Sequence, residues 1–192
     1  MRVQKIIKNL VKDSIATKEV FFDRNLKKIE DCTDIMVKAF KSDKKLLLFG
    51  NGGSAADSQH IAAEFVNRFQ IERRPLPAIA LTTDTSIITS IGNDYSYEEI
   101  FSKQVLALGA KNDIAIGIST SGNSPNVIKA IKVAKQKKLI TIGFTGEGGK
   151  LNDISDICFC VDSRITARIQ EVHILLAHIL CDIVETKLFK QL

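Results

Sequence analysis

The chain has 192 residues, with 27 Lys plus Arg against 22 Asp plus Glu, a net charge of +5 with neutral histidines. Hydrophobic residues make up 45% and charged residues 26%; this is globular composition, it excludes a disordered chain, and the length lets one domain bury a core without disulfides or a structural metal. No apolar run reaches the roughly 18 residues of a membrane span, and the opening MRVQKIIKNLVKDS lacks the apolar core and small-residue cleavage site of a secretory signal, so neither is predicted.

Residues 1–45 hold 12 basic and 7 acidic residues, whereas 46–192 hold 15 of each. The whole excess sits in the N-terminal segment. It reads there as a solvated or subunit-interface helix face; nucleic acid and membrane are not expected as partners, and only a protein partner for residues 1–45 stays open. The four cysteines, Cys32, Cys158, Cys160 and Cys181, form no CxxC pair. Apolar neighbours around the last three predict buried thiols in a reducing, cytoplasmic protein.

In chain order, residues 1–42 carry helical periodicity without Gly or Pro: Ile6, Ile7, Leu10, Val11 and Ile15, then Phe21, Phe22, Leu26 and Ile29, then Met36, Val37 and Phe40. Two helices are predicted, with a break near Asp13 to Thr17. They are too apolar to stand alone and should pack on the main body or on another subunit. From Lys45 short apolar runs alternate with helical segments. Leu46 to Phe49 is a strand ended by Gly50-Asn51-Gly52-Gly53, with a helix from about Ser54 to Phe69. Ala78 to Leu81 is a second strand, followed by helical stretches over about 85–91 and 97–108. Ile114 to Ile118 is a third, ended by Ser119-Thr120-Ser121-Gly122-Asn123-Ser124, and Pro125 opens the helix after it, which runs to about Lys138. Ile140 to Phe144 and Ile157 to Val161 are the fourth and fifth strands, and a helix from about Thr166 to Phe189 closes the chain. The alternation predicts a parallel sheet covered on both faces, a three-layer α/β domain over 45–192 with a helical extension over 1–44, its ligand beyond the carboxyl ends of the strands.

Three stretches carry chemistry. Gly50-Asn51-Gly52-Gly53-Ser54 leads into a helix N-terminus, which suits an anion or a sugar hydroxyl; it is neither a Walker loop nor GxGxxG, because no Gly-Lys-Ser/Thr follows and position 55 is Ala. The loop from Ser119 to Ser124 offers hydroxyls and backbone donors at a second helix N-terminus, a neutral phosphate cradle with no Lys or Arg of its own; one serine would have sufficed as a cap. His60 and Glu64, spaced i, i+4, share a helix face and suit a divalent metal or proton transfer, the plain alternative being a surface pair. The closing helix is apolar nearly all round, which points to a subunit interface as well as a core, and it brings Gln170, Glu171, His173 and His178.

Together Gly50 to Ser54, Gln59-His60 with Glu64, Gly92-Asn93-Asp94, Gly117 to Ser124, and Arg168-Ile169-Gln170-Glu171 with His178 resemble the phosphoheptose isomerases of the sugar-isomerase (SIS) domain family, in the right order over nearly the whole chain. The resemblance implies a flavodoxin-like αβα sandwich with a five-stranded parallel sheet. It implies an aldose–ketose isomerase that interconverts sedoheptulose 7-phosphate and D-glycero-D-manno-heptose 7-phosphate, the first step toward activated heptose for lipopolysaccharide core or capsule, working as a cytoplasmic homotetramer with active sites between subunits. The residues it assigns to substrate are Asn51, Gly52, Gly53, Glu64, Asn93, Asp94, Ser119, Thr120, Ser121, Ser124 and Gln170. Those it assigns to one zinc per subunit are His60, Glu64, Gln170 and His178. Glu64 as base and His178 as acid would serve the enediolate chemistry, although a metal-bound His178 has no proton to donate. No role passes to residues 162–167, and His173 reads as a structural histidine.

Eight residues separate Gln170 from His178, about 12 Å along a helix with a rotation of about 80°. One ion is therefore expected to take these two from different subunits. The rival reading is a regulator of the same fold that binds a replication initiator protein; the complete set of Glu64, Gln170 and His178 disfavours it. A sugar-phosphate sensor fused to a DNA-binding segment is disfavoured by the short N-terminal segment, which has no helix-turn-helix signature.

Overall fold

The computed structural model describes residues 2–190; Met1, Gln191 and Leu192, the outermost positions of the two predicted segments, lie outside the described residues. Five parallel strands form one sheet: β1 (Leu46–Gly50), β2 (Ala78–Ala80), β3 (Ile114–Ser119), β4 (Ile140–Thr145) and β5 (Ile157–Cys160), in the order β2-β1-β3-β4-β5. β1 and β3 are buried throughout, as unbroken apolar runs in a doubly covered sheet must be. Leu46, Leu48, Ile114, Ile116 and Ile118 point into the core shared with α1 (Arg2–Lys41), α2 (Gly53–Val66) and α7 (Thr166–Phe189). Leu47, Phe49 and Ala115 point into the second core, under α4 (Ser102–Leu108) and α5 (Pro125–Gln136). Two further helices, α3 (Thr85–Asp94) and the single turn α6 (Lys150–Ile154), complete the second layer.

The expected break near Asp13 to Thr17 does not exist. α1 is one helix of 40 residues, about 60 Å long. It contains neither Gly nor Pro, and its polar residues at 13–17 serve the helix: Thr17 Oγ1 donates to Asp13 O (2.8 Å), and Ser14 Oγ donates to Glu171 Oε2 on α7 (2.6 Å). Phe21, Ile29, Cys32, Met36 and Phe40 are buried in the first core, while Ile6, Ile7, Leu10 and Val11 stay half or more exposed. Among the described residues no helix is long and apolar enough to cross a membrane.

Strand order places the topological switch between β1 and β3, which pair in register from Leu46↔Ile114 to Gly50↔Ile118. β2 leaves β1 on one side and β4 leaves β3 on the other, so the crevice beyond Gly50 and Ser119 is where a sheet of this order takes its ligand.

Candidate active site

Both polar loops open at that switch. Gly50 has no room for a side chain, since a Cβ there would lie 2.7 Å from Ser54 Cβ and 2.8 Å from Ile118 O. Gly52 takes φ of 56°, a left-handed conformation that Gly adopts without strain, and α2 starts at Gly53. Asn51 and Asn126, on α5, exchange two amide hydrogen bonds of 2.9 Å, and Tyr97 OH donates to Asn51 Oδ1 at 3.2 Å. This pairing ties the glycine loop to the helix that follows the serine loop. In the serine loop, Ser119 Oγ lies 2.9 Å from Ser124 Oγ and 3.4 Å from Ser121 Oγ, while Asn123 N donates to Ser121 Oγ. Ser124 precedes Pro125 and does not use its hydroxyl to cap α5. Two helix N-termini and three clustered hydroxyls thus face one crevice, an arrangement that suits an anion and has no Lys or Arg in the loop. A cavity of about 540 Å³ opens beside Thr120 and Ser121, walled by Glu147, Arg164 and Thr166.

Seven residues along α2, about 10 Å from Gly53, His60 Nε2 stands 3.2 Å from Glu64 Oε1 and 3.4 Å from His178 Nε2 of α7. The three donor atoms lie within 4.8 Å of one another. Glu64 is half-buried and His60 exposed. Two imidazole nitrogens and a carboxylate converging on one point, the nitrogens facing each other, form a donor set for a divalent ion of borderline softness. Phe69 lies against His178, with ring centroids 5.7 Å apart. Asp57 lies one turn before His60; burial raises its pKa while the His60 charge opposes the rise, and among the described residues its Oδ2 has no hydrogen-bond partner.

The predicted residues therefore fall into groups. Asn51, Gly52, Gly53, Ser119, Thr120, Ser121 and Ser124 meet at the switch. His60, Glu64 and His178 meet further along α2. Gln170 joins the first group rather than the second: its Nε2 occupies the space a Cβ on Gly53 would need. Within one chain the expected four-ligand set is thus three ligands, with Gln170 elsewhere. Asn93 and Asp94, at the end of α3, hydrogen-bond each other (2.9 Å) and, among the described residues, none of the other predicted site residues. His173 is buried, bonded to Thr145 O (3.2 Å) and packed on Phe144; burial lowers its pKa to about 4. Sequence reasoning missed Asn126, Tyr97, Phe69 and Arg164. Asn126 stands next to Pro125, but no spacing rule links it to Asn51, 75 residues away.

The SIS domain family matches residues 11–146. A phosphoheptose isomerase of Thermodesulfovibrio yellowstonii is 53% identical over 99% of this chain and 95% of its own length. The chain belongs to the phosphoheptose isomerases of the SIS domain family. Phosphoheptose isomerase 2 of Campylobacter jejuni is 54% identical over 95% of this chain and 92% of its own. Among solved structures, the phosphoheptose isomerase of Neisseria gonorrhoeae superposes with a TM-score of 0.91 at 42% identity, over 96% of this chain and 99% of that one. That of Francisella tularensis does so at 0.93 and 38%, over 97% and 100%. In this chain the His-Glu-His cluster begins seven residues along α2 from the glycine loop at its N-terminus, while the serine loop sits at the N-terminus of α5.

Proposed function

We propose that the protein converts sedoheptulose 7-phosphate to D-glycero-D-manno-heptose 7-phosphate, supplying activated heptose for lipopolysaccharide core or capsule. The observation that carries the reading is the spacing of the two residue groups along α2. It suits a substrate whose phosphate and reacting carbons lie at opposite ends of one chain. Ser119, Thr120, Ser121 and Ser124, with the N-termini of α2 and α5, hold the phosphate; Asn51, Gly52, Gly53, Asn93, Asp94 and Gln170 line the path of the sugar. Glu64 takes a proton from C1 and returns it to C2 through an enediolate, and His178 serves the hydroxyl protons at O1 and O2.

The cluster of His60, Glu64 and His178 is suited to zinc, which when bound would supply Lewis acidity at the carbonyl. Gln170 of a neighbouring subunit would complete the set, because the eight-residue spacing keeps a chain's own Gln170 away. This requires an oligomer, for which the homotetramer is our reading. The free thiols fit a reducing compartment, the cytoplasm. His178 Nε2 cannot hold an ion and release a proton at the same moment, and chelation separates the two uses. Glu64→Gln tests the base: sedoheptulose 7-phosphate should still bind, measured by calorimetry, while turnover falls at least a hundredfold. Full turnover by this variant would overturn the assignment.

A further inference from the structure

The sheet edge remote from β1 carries a pair of cysteines that the isomerase chemistry does not use. Among the described residues, β5 pairs with β4 alone. Cys158 and Cys160, two apart on it, leave the strand on one face, with their sulfurs 3.9 Å apart. The partner strand makes room for them: Gly143 lies opposite Cys158, and a Cβ there would come within 3.0 Å of its Sγ. Asn152 on α6 places Oδ1 3.0 Å from Cys160 Sγ. Contrary to the expectation of buried thiols, Cys160 is only half-buried, because nothing pairs with the outer side of the edge strand. It lines a cavity of about 380 Å³ with Arg24, Asn25 and Asp162.

A disulfide and a shared ion make different demands on such a pair. A disulfide needs Cβ atoms about 3.5–4.5 Å apart, whereas next-but-one residues of a strand are about 6.6 Å apart. Closing the bond would pull β5 out of its ladder with β4. Two thiolates held at about 2.3 Å by one tetrahedral ion stand about 3.8 Å apart, the separation already present. We propose that Cys158 and Cys160 form a two-thiolate site for a soft divalent d10 ion, Zn²⁺ or its congener Cd²⁺, with Asn152 Oδ1 as a third donor and water completing the shell. Binding releases the thiol protons to solvent. The donors are sulfurs, so the site is spectroscopically separate from the His60, Glu64 and His178 cluster.

The test is titration of the reduced, full-length protein with Cd²⁺, followed by thiolate-to-metal charge-transfer absorption in the ultraviolet. The band should saturate at one thiolate-bound ion per chain, persist in His178→Ala, and disappear in Cys158→Ala and in Cys160→Ser. Absence of the band in the wild-type protein, or its persistence in either cysteine variant, overturns the proposal. A second measurement needs no variant: Cd²⁺ should slow alkylation of Cys160 by iodoacetamide, read by mass of its peptide. Labelling at an unchanged rate, or a Cys158–Cys160 disulfide forming in air at the expense of the free thiols, would equally count against the site.

Discussion

Glu185→Gln removes the carboxylate around which the end of α2 is built. Glu185 Oε1 accepts from Arg73 Nε (2.9 Å) and Phe69 N (3.1 Å), and Oε2 from Gln70 N (2.7 Å) and Ile71 N (3.3 Å). Both charged side chains are almost fully covered, at 2% and 3% exposed. Arg73 in turn donates to the carbonyls of Glu64 (2.8 Å), Phe65 (2.7 Å) and Asn67 (3.1 Å), the unpaired end of the helix that carries His60 and Glu64. Glutamine keeps the shape but turns one acceptor into an NH₂ group facing N–H donors, and leaves the guanidinium buried without a counter-charge. Breaking such a pair costs about 3–5 kcal/mol, or roughly 6–20 °C in Tm for a chain of this size. Burial alone would raise the Glu185 pKa; the backbone donors and Arg73 outweigh it and hold the pKa below the ordinary carboxylate value. The stability this shift contributes is therefore complete above the unfolded pKa of about 4.3 and is lost as pH falls through the folded value. The variant should lose that part of the acid sensitivity. Urea unfolding at fixed protein concentration, followed by circular dichroism at pH 7 and pH 4, measures both effects. A loss under about 1 kcal/mol at pH 7 would refute the reasoning.

His173, neutral and buried with its pKa lowered to about 4, makes stability fall as pH drops from about 6.5 to 4, because the unfolded chain takes up the proton first; the slope amounts to about 3 kcal/mol over the window. His173→Phe should flatten that part of the unfolding profile, and an unchanged slope would contradict it. In Gly53→Ala the atoms nearest the new Cβ belong to the flexible end of Gln170, so the variant should fold normally, as read by urea midpoint, yet lose turnover through the displaced amide; wild-type turnover would remove Gln170 and Gly53 from the substrate path. Treatment with a chelator should abolish turnover and added Zn²⁺ restore it, with one equivalent per chain lost in His60→Ala by metal analysis. Activity surviving a metal-free preparation would instead assign His178 to proton transfer.

The sheet was legible because its strands are short, largely apolar runs of three to six residues followed by small polar residues. Pro125 and the serines marked the start of α5, and the i, i+4 spacing of His60 and Glu64 marked their common face. What stayed hidden depends on partners distant in sequence. Continuity of α1 through residues 13–17 is supported by Ser14 meeting Glu171, 157 residues on. The Asn51–Asn126 exchange and the Arg73–Glu185 pair span 75 and 112 residues. α6, a single turn of five residues, is too short to show a period. Cys160 read as buried because its neighbours in sequence are apolar, but exposure is set by its place on an edge strand, which only the strand order reveals.

The central claim is tested most directly by incubating the purified protein with sedoheptulose 7-phosphate and assaying for the aldose 7-phosphate, beside Glu64→Gln and Ser121→Ala/Ser124→Ala. The account predicts aldose formation by the wild-type protein, its loss in Glu64→Gln with binding intact, and a raised KM when the serine hydroxyls are removed. Absence of the aldose from a folded, zinc-supplied preparation would contradict it.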